Sequence, residues 1–438
     1  MIKGLLPFLL LFSSLSHAVV NVRTRDEVIL HFKEAGFSGT VGVFSPKGDF
    51  VVGLGPGVHA DDHLLIGSVT KQFTAAAILK LVEQGKLKVT DPVSRYVPRL
   101  RSHEVTIHHL LTHTSGIRDA VGSYEFERFK ITPFRSLGPL VALVTKMPIE
   151  FRAGSRFDYS NSNYFLLSHL VELRSGESWW SFVKRELVDP AGMTETNFVG
   201  SRTARLLPGH TFDRDYSLTP IAESAYFERG WANGAGGMES TVRDLGRWNE
   251  ALHSGKILSA ESLRQMTAAH TKSGKNEFVG YGLFSTQDEV TGESILFHPG
   301  GIPGYISQNA YYPKRKLSTI VLANYESSGE PEQLAKALAS VESRGHASVP
   351  NYLDDPKVPR ANNQKFVGRF RSVEGDSLDI TFAQNQLYLS AGGSPEHRMI
   401  LRGDSWFFDR SIGLDLHFST DAVTVQARDT TYFRDDLR

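Results

Sequence analysis

In the stretch Gly67-Ser68-Val69-Thr70-Lys71 a serine and a lysine stand three residues apart at the head of an apolar run. The run continues as AAAILKLVEQG, which predicts a helix closing at Gly85. Residues three apart share one face of a helix, so Ser68 would offer its hydroxyl to the Lys71 amine. A serine hydroxyl is a weak nucleophile near neutral pH and needs a base within hydrogen-bond reach. Burial disfavours the charged form of a lysine and lowers its pKa, and a neutral Lys71 can take the serine proton. Taken alone, Ser-x-x-Lys is common by chance, and a surface lysine that follows a serine is the simpler account.

Two further stretches change that balance. In FRAGSRFDYSNSNYFLL, Tyr159-Ser160-Asn161 follows an Ala-Gly-Ser turn and precedes an apolar helical run. A phenol hydroxyl and an amide at the mouth of a helix can reach into a cleft. In FHPGGIPGYIS, His298-Pro299-Gly300-Gly301 ends a strand. Glycines there let a substrate backbone come close, and backbone N–H groups can bind a developing oxyanion.

Ser-x-x-Lys, then Tyr-x-Asn, then Lys/His-x-Gly, in that order, resembles the serine β-lactamase and penicillin-binding-protein superfamily. Within it the chain is similar to the branch of class C β-lactamases, D-alanyl-D-alanine carboxypeptidases, D-aminopeptidases and related esterases. The surrounding segments IGSVTKQFTAAAILKLVEQGKL, DPVSRYVP, TIHHLLTHTSGI, FRAGSRFDYSNSNYFLL and GAGGMESTVRDLGRW also resemble that family, over roughly residues 30–330. The resemblance implies Ser68 as the nucleophile that forms an acyl-enzyme and Lys71 as the group that helps deprotonate it. It implies Tyr159 as the proton shuttle to the leaving group, and Asn161 as a partner of Lys71 or of substrate. His298 falls at the third-motif position, with Gly300 and Gly301 behind it, and the N–H groups of Ser68 and Gly301 would form the oxyanion hole. A tyrosine acting as base needs its pKa lowered by a nearby cation, and Lys71 is the candidate.

His298 departs from the lysine that many members carry there to help recognise a substrate carboxylate. Histidine is only partly charged near neutral pH. The difference favours a neutral or differently charged substrate: an ester, an amide, or a peptide read by its amino end. The expected activity is hydrolysis of small peptides or amides containing D-amino acids. Short acyl esters and β-lactams are the alternatives within the enzyme class. A non-catalytic relative that binds cell-wall fragments or a protein partner is the alternative outside it, and the joint presence of Ser68, Lys71 and Tyr159 argues against that.

Other chemistries fit less well. His108, His109 and His113 suggest a metal site, and 109 and 113 stand one helical turn apart, but the acidic residue of a zinc-metallopeptidase helix is missing between them, and the resemblance implies that THTSG is a structural turn. The Gly-x-Ser-x-Gly elbow of Ser-His-Asp hydrolases is absent from the chain. The expectation is that no metal or organic cofactor is used. Trp179 and Trp180 read as helix packing rather than a binding surface, while Tyr281 and Tyr305 neighbour the third motif and are expected to border the cleft. Glu239-Ser240-Thr241 with Asp244 reads as the start and cap of a helix.

These groups need elements to hold them. SGTVGVFSPKGDFVVGLG reads as two strands around Pro-Lys-Gly, ILFHPGG as another, and GYISQNAYYP with KLSTIVLANY as a hairpin. Helical patterns and loops dominate between, and PEQLAKALASVES is an amphipathic helix. Strands at both ends of a region imply one sheet assembled from its termini, with a mainly helical insertion. The fold class is therefore α+β, of the β-lactamase/transpeptidase type implied by the resemblance. Residues 343–363 are polar and carry three prolines, as a linker does. Beyond them Leu378, Ile380 and Phe382, Leu387 and Leu389, Leu414, Leu416 and Phe418, and Val423 and Val425 alternate with polar residues. That predicts a small antiparallel barrel or sandwich. The expected organisation is a signal peptide over 1–18, a hydrolase domain over 19–342, a linker over 343–363 and a β domain over 364–438.

The signal peptide is read from Lys3, the short apolar core LLPFLLLF and the small residues Ser16-His17-Ala18, and it predicts export to the periplasm or the medium. With Cys 0, disulfides, thiolate metal sites and lipid-bearing cysteines are excluded. Lys+Arg 48 balance Asp+Glu 48, so nothing predicts attraction to nucleic acid or an anionic membrane. The expected partner is a small-molecule or peptide substrate, and no stable membrane insertion is expected once the signal is cut; composition and motifs are silent on oligomeric state.

Overall fold

The computed structural model describes residues 19–435 apart from 101, 103, 131–135, 199–205, 222–227, 289–290, 328, 355–362, 404, 412, 420 and 428–429. The expected signal peptide and residues 355–362 of the expected linker lie outside the described residues. The chain forms two compact units, one of residues 39–207 and 222–323, the other taking in residues up to 38, 208–221 and 324 onward.

The first unit is built on an antiparallel sheet of eight strands. These are β1 (Gly39–Ser45), β2 (Gly48–Leu54), β3 (Thr271–Lys272), β4 (Glu277–Val279), β5 (Phe284–Gln287), β6 (Ser294–Ile302), β7 (Tyr305–Tyr312) and β8 (Leu317–Ala323). Their order is β2-β1-β8-β7-β6-β5-β4-β3, so the early and late parts of the chain meet where β1 pairs with β8. Ser45 pairs with Gly48, so the turn is Pro46-Lys47, and Gly48, read as part of the turn, opens β2. Every residue of β8 is buried, the polar Ser318 and Thr319 with the five apolar ones.

Three helices matter for the site: α1 (Thr70–Glu83), α2 (Asn161–Ser175) and α3 (Val242–His253). Residues 70–79 of α1 are all buried, so α1 is an internal helix rather than a surface one. It closes as expected at Gly85: the Gly85 N–H donates to Val82 O and the Lys86 N–H to Leu81 O, both at 2.9 Å. Thr241 caps α3 by accepting from the Asp244 N–H at 3.2 Å. Trp179 is core, donating from its indole to Thr74 Oγ1 at 3.1 Å.

A buried polar cluster sets the rotation of α1. Gln72 Oε1 accepts from Trp248 Nε1 of α3 at 2.9 Å and from Asn309 Nδ2 of β7 at 3.3 Å. Asn249 donates to Asn309 Oδ1 at 2.8 Å and to Ser318 Oγ at 3.1 Å. Buried amides left unpaired are costly, so these bonds admit one register of helix on sheet. Lys71 lies about 100° round the helix from Gln72 and is thereby aimed at α2.

In the second unit, helices Arg25–Glu34 and Glu330–Arg344 pack together, and strand Val19–Val22 pairs with Ala347–Pro350 inside the stretch read as linker. Eight strands from Gly368–Arg371 to Thr430–Arg434 form a closed barrel, the last pairing with the first through Phe370 and Arg434. Closure settles the barrel-or-sandwich alternative. Leu378, Ile380, Leu387, Leu389, Leu416 and Val425 fill its interior with Phe370, Phe407 and Phe418, whereas Phe382 and Val423 are half-buried. A buried ion pair holds Arg410 to Glu330 at 2.9 Å, and Tyr325 donates to the same carboxylate at 2.6 Å.

Candidate active site

Ser68 sits in the 3-10 turn Gly67–Val69 that leads into α1, and Lys71 follows one turn later. Ser68 is partly exposed; Lys71 is fully buried. The Lys71 ammonium donates to Ser68 Oγ at 3.1 Å, to Asn161 Oδ1 at 2.8 Å and to Ala235 O at 2.6 Å. Those three acceptors account for its three protons. The rings of Tyr159 and Tyr164 lie 5.0 and 5.4 Å from its nitrogen. Even so, burial pulls its pKa down to about 7, opposed by the charge of Asp119. Near neutral pH the amine is therefore neutral much of the time. A neutral Lys71 keeps two N–H bonds for Asn161 and Ala235, and its lone pair then faces Ser68 Oγ.

Tyr159 precedes the N-cap of α2, Ser160, whose extended backbone (φ −142°, ψ 121°) turns the chain into the helix. The expectation that Lys71 lowers the tyrosine's pKa is corrected: desolvation pushes the phenol well above its ordinary range, the Ser68 hydroxyl holds it back in part and Asp119 adds to the rise. Burial thus favours the protonated phenol at Tyr159 and the neutral amine at Lys71. Asn161, the first residue of α2, donates from Nδ2 to Asp119 Oδ2 at 2.8 Å while its Oδ1 faces Lys71.

The third motif lies on β6. His298 is buried, and desolvation followed by the charge of Lys71 brings its pKa to about 3. Its Nδ1–H donates to Pro299 O, and the same burial favours the neutral ring over a cation facing the cleft. The β6–β7 turn is the two-residue Pro303-Gly304, closed by the pair Ile302 and Tyr305. Alternation along an antiparallel ladder then makes Gly301·Ile306 a non-bonded pair whose N–H groups point away from each other. Pro299, which has no N–H, falls on an equivalent position. β5 pairs only with Ser294 to Phe297, so the N–H of the exposed Gly301 points past the end of β5.

Two close approaches set this edge against Ser68. A Cβ at Gly300 would stand 2.1 Å from Ile66 O and 2.2 Å from Ser307 Oγ, which itself donates to Ile66 O at 2.8 Å. A Cβ at Gly67, whose φ is +49°, would stand 2.8 Å from Gly301 N. The two backbones touch because neither residue has a side chain. Ser68 N–H lies in a first turn, where donors have no intrahelical acceptor. Two N–H groups thus flank the serine, as an oxyanion hole requires.

The sites read from the sequence converge here: Ser68, Lys71, Tyr159, Asn161, His298, Gly300 and Gly301. Tyr281 and Tyr305 do not reach the cleft; both are buried, and their hydroxyls engage His108 Nδ1 at 2.8 Å and Leu207 O at 2.7 Å. Asp119, His113, Gly67 and the Ala235 carbonyl were missed. From the sequence His113 reads as part of the THTSG turn, weighed against a metal ligand, and Asp119, just beyond that turn, is not singled out. A backbone carbonyl such as that of Ala235 has no sequence signature.

The fold and the site together are those of a serine hydrolase with a lysine beside its nucleophile. The chain belongs to the Beta-lactamase family, whose model matches residues 25–342. It is 27% identical over 372 residues to penicillin-binding protein 4* of Bacillus subtilis (strain 168), covering 81% of this chain and 82% of that protein. The octameric penicillin-binding protein homologue from Pyrococcus abyssi aligns over 93% of this chain and 98% of its own, with TM-score 0.66 and 23% identity. A D-stereospecific amidohydrolase from Streptomyces sp. aligns over 72% and 98%, with TM-score 0.64 and 24% identity. At such identities these two structures are likenesses of fold.

Proposed function

We propose that the protein is an exported hydrolase that opens amide or peptide bonds of small D-amino-acid-containing peptides, of the kind found in peptidoglycan, through an acyl-enzyme on Ser68. The observation that carries this reading is the buried Lys71, whose N–H bonds are committed to Asn161 and Ala235 so that its lone pair meets Ser68. In acylation Ser68 Oγ attacks the carbonyl carbon and its proton passes to Lys71. The oxyanion sits between the Ser68 and Gly301 N–H groups. Tyr159 donates its proton to the departing nitrogen and is reprotonated from Lys71. Water then attacks the ester by the same route in reverse.

The neutral His298 supports a substrate that needs no cation at that position. The likeness to a penicillin-binding protein and to a D-stereospecific amidohydrolase supports the substrate class. Short acyl esters satisfy the same site, and a substrate panel separates the two. Export rests on the leader-like residues 1–18 and is tested by the N-terminal mass of the protein recovered outside the cytoplasm, expected to begin at Val19.

The test of the nucleophile is intact-mass analysis after exposure to a serine-reactive fluorophosphonate. One adduct, absent from Ser68→Ala, is the expected result. The unlabelled enzyme is then assayed on D-aminoacyl amides, D,D-dipeptides, short esters and a β-lactam, with the labelled enzyme as the inactive control. A folded wild type that takes no adduct overturns the reading.

A further inference from the structure

Asp119 is held with unusual care for a residue in a loop. Its neighbours on both sides are fastened to one residue of α2: Ser162 Oγ donates to Arg118 O at 3.1 Å and accepts from the Ala120 N–H at 2.9 Å. Its Oδ1 accepts from the Val121 N–H at 3.2 Å. What remains, Oδ2, accepts from Asn161 Nδ2 at 2.8 Å. The clamp sets the carboxylate against residue 161 because it grips residue 162.

An amide side chain can turn over by 180°. Here the turn would bring Asn161 Oδ1 against the Asp119 carboxylate and its NH2 against the Lys71 donors, two repulsive contacts in place of two bonds. We propose, building on the reading of Lys71 as the base of Ser68, that Asp119 is its positioning residue: it holds Asn161 with its oxygen toward Lys71, and so holds the Lys71 lone pair toward Ser68. Its charge has a second effect, because a carboxylate near an amine favours the protonated form. Among the described residues, the groups facing Lys71 are Ser68, Asn161, the Ala235 carbonyl, the Tyr159 and Tyr164 rings, and the neutral His113 and His298. None of these is an anion, and the negative charge acting on Lys71 is that of Asp119, behind Asn161; its own pKa is raised by burial and held back by its bonds from Asn161 and Val121 and by Lys71.

The experiment measures the rate of fluorophosphonate labelling of Ser68 from pH 5 to 9 in wild type, Asp119→Asn and Asp119→Ala, with circular dichroism to establish folding. Labelling reports the activation of Ser68 and needs no knowledge of the substrate. In wild type the rate should rise through one limb. Asp119→Asn keeps an acceptor for Asn161 Nδ2 but loses the charge, so its limb should move to lower pH by about half a unit or more, with a plateau within about tenfold of wild type. Asp119→Ala releases the amide as well, and its plateau should fall by roughly 30-fold or more. Loss of a purely structural residue lowers amplitude or stability without moving the limb. Folded variants whose limb stays at the wild-type pH overturn the proposal and leave the reading of Ser68 intact. A folded wild type that takes no label removes both. Should Asp119→Ala fail to fold, the limb of Asp119→Asn decides alone.

Discussion

The imidazole of His113 stacks on the phenol ring of Tyr159, with centroids 4.3 Å apart and planes 23° from parallel. His113 is buried and adopts φ 55°, a conformation few residues other than glycine take up. Its Nδ1 accepts from the Ser160 N–H at 3.2 Å and from Asn163 Nδ2 at 3.3 Å, so the turn before α2 is tied to the ring that supports Tyr159. His113→Ala removes the platform and strands a buried N–H. We expect it to cost about 2–4 kcal/mol of stability and to slow turnover about tenfold. Thermal unfolding and amide turnover measure the two; unchanged amide turnover would show that the stack does not position Tyr159.

Tyr159→Phe keeps that stack and removes only the hydroxyl. Because burial holds the phenol in its protonated form, the group lost is a donor to the leaving nitrogen. Turnover should drop at least ~100-fold. The loss should be smaller for activated esters, whose leaving groups need no proton. Equal losses on amide and ester would assign Tyr159 to another step.

The rate should rise with pH through a single limb near the Lys71 value of about 7. His298, held near 3 by burial, contributes no limb above pH 5. A second ascending limb between pH 5 and 9 would show that another group titrates in the site.

The same burial links stability to pH. The lysine's folded value of about 7 lies below its unfolded value of 10.5, so the unfolded chain binds more protons in between and stability rises with pH across that window. The penalty is whole below about pH 7 and gone above the unfolded value. Relative to Lys71→Met, whose side chain does not titrate, wild type should gain roughly 2 kcal/mol between pH 7 and 9. Denaturant unfolding of the two proteins at both pH values measures this, and a constant difference would place the Lys71 pKa near that of a solvated lysine.

The glycines of the site should separate by contact. Gly300→Ala and Gly67→Ala each drive a Cβ into backbone, Ile66 O in one case and Gly301 N in the other, and should abolish labelling. Gly301→Ala meets only the flexible end of Ile306 at 3.4 Å and keeps its N–H. It should fold and retain labelling within about tenfold. Equal behaviour of Gly300→Ala and Gly301→Ala would contradict the strand register on which the oxyanion hole depends.

The sequence by itself determined what depends on short-range order. Helix α1 and its closure at Gly85, the two-residue turn between β1 and β2, the Thr241 cap and the alternation of the barrel strands follow from propensity and period, which are local. Ser68 and Lys71 were legible as a pair because three residues on a helix fix a distance. Tyr159, Asn161 and His298 were legible because their motifs resemble those of a known family, not because spacing brought them to the pair. Only the tertiary structure decided the chemistry between them. The desolvation that brings Lys71 to about 7 and raises Tyr159 is a property of surrounding atoms drawn from distant segments, so the upward direction of the tyrosine's shift could not be read from residue types. Asp119, His113 and Ala235 enter for the same reason: a hydrogen bond across 42 residues, a ring stack across 46 and a carbonyl contact across 164 exist only once the chain has folded.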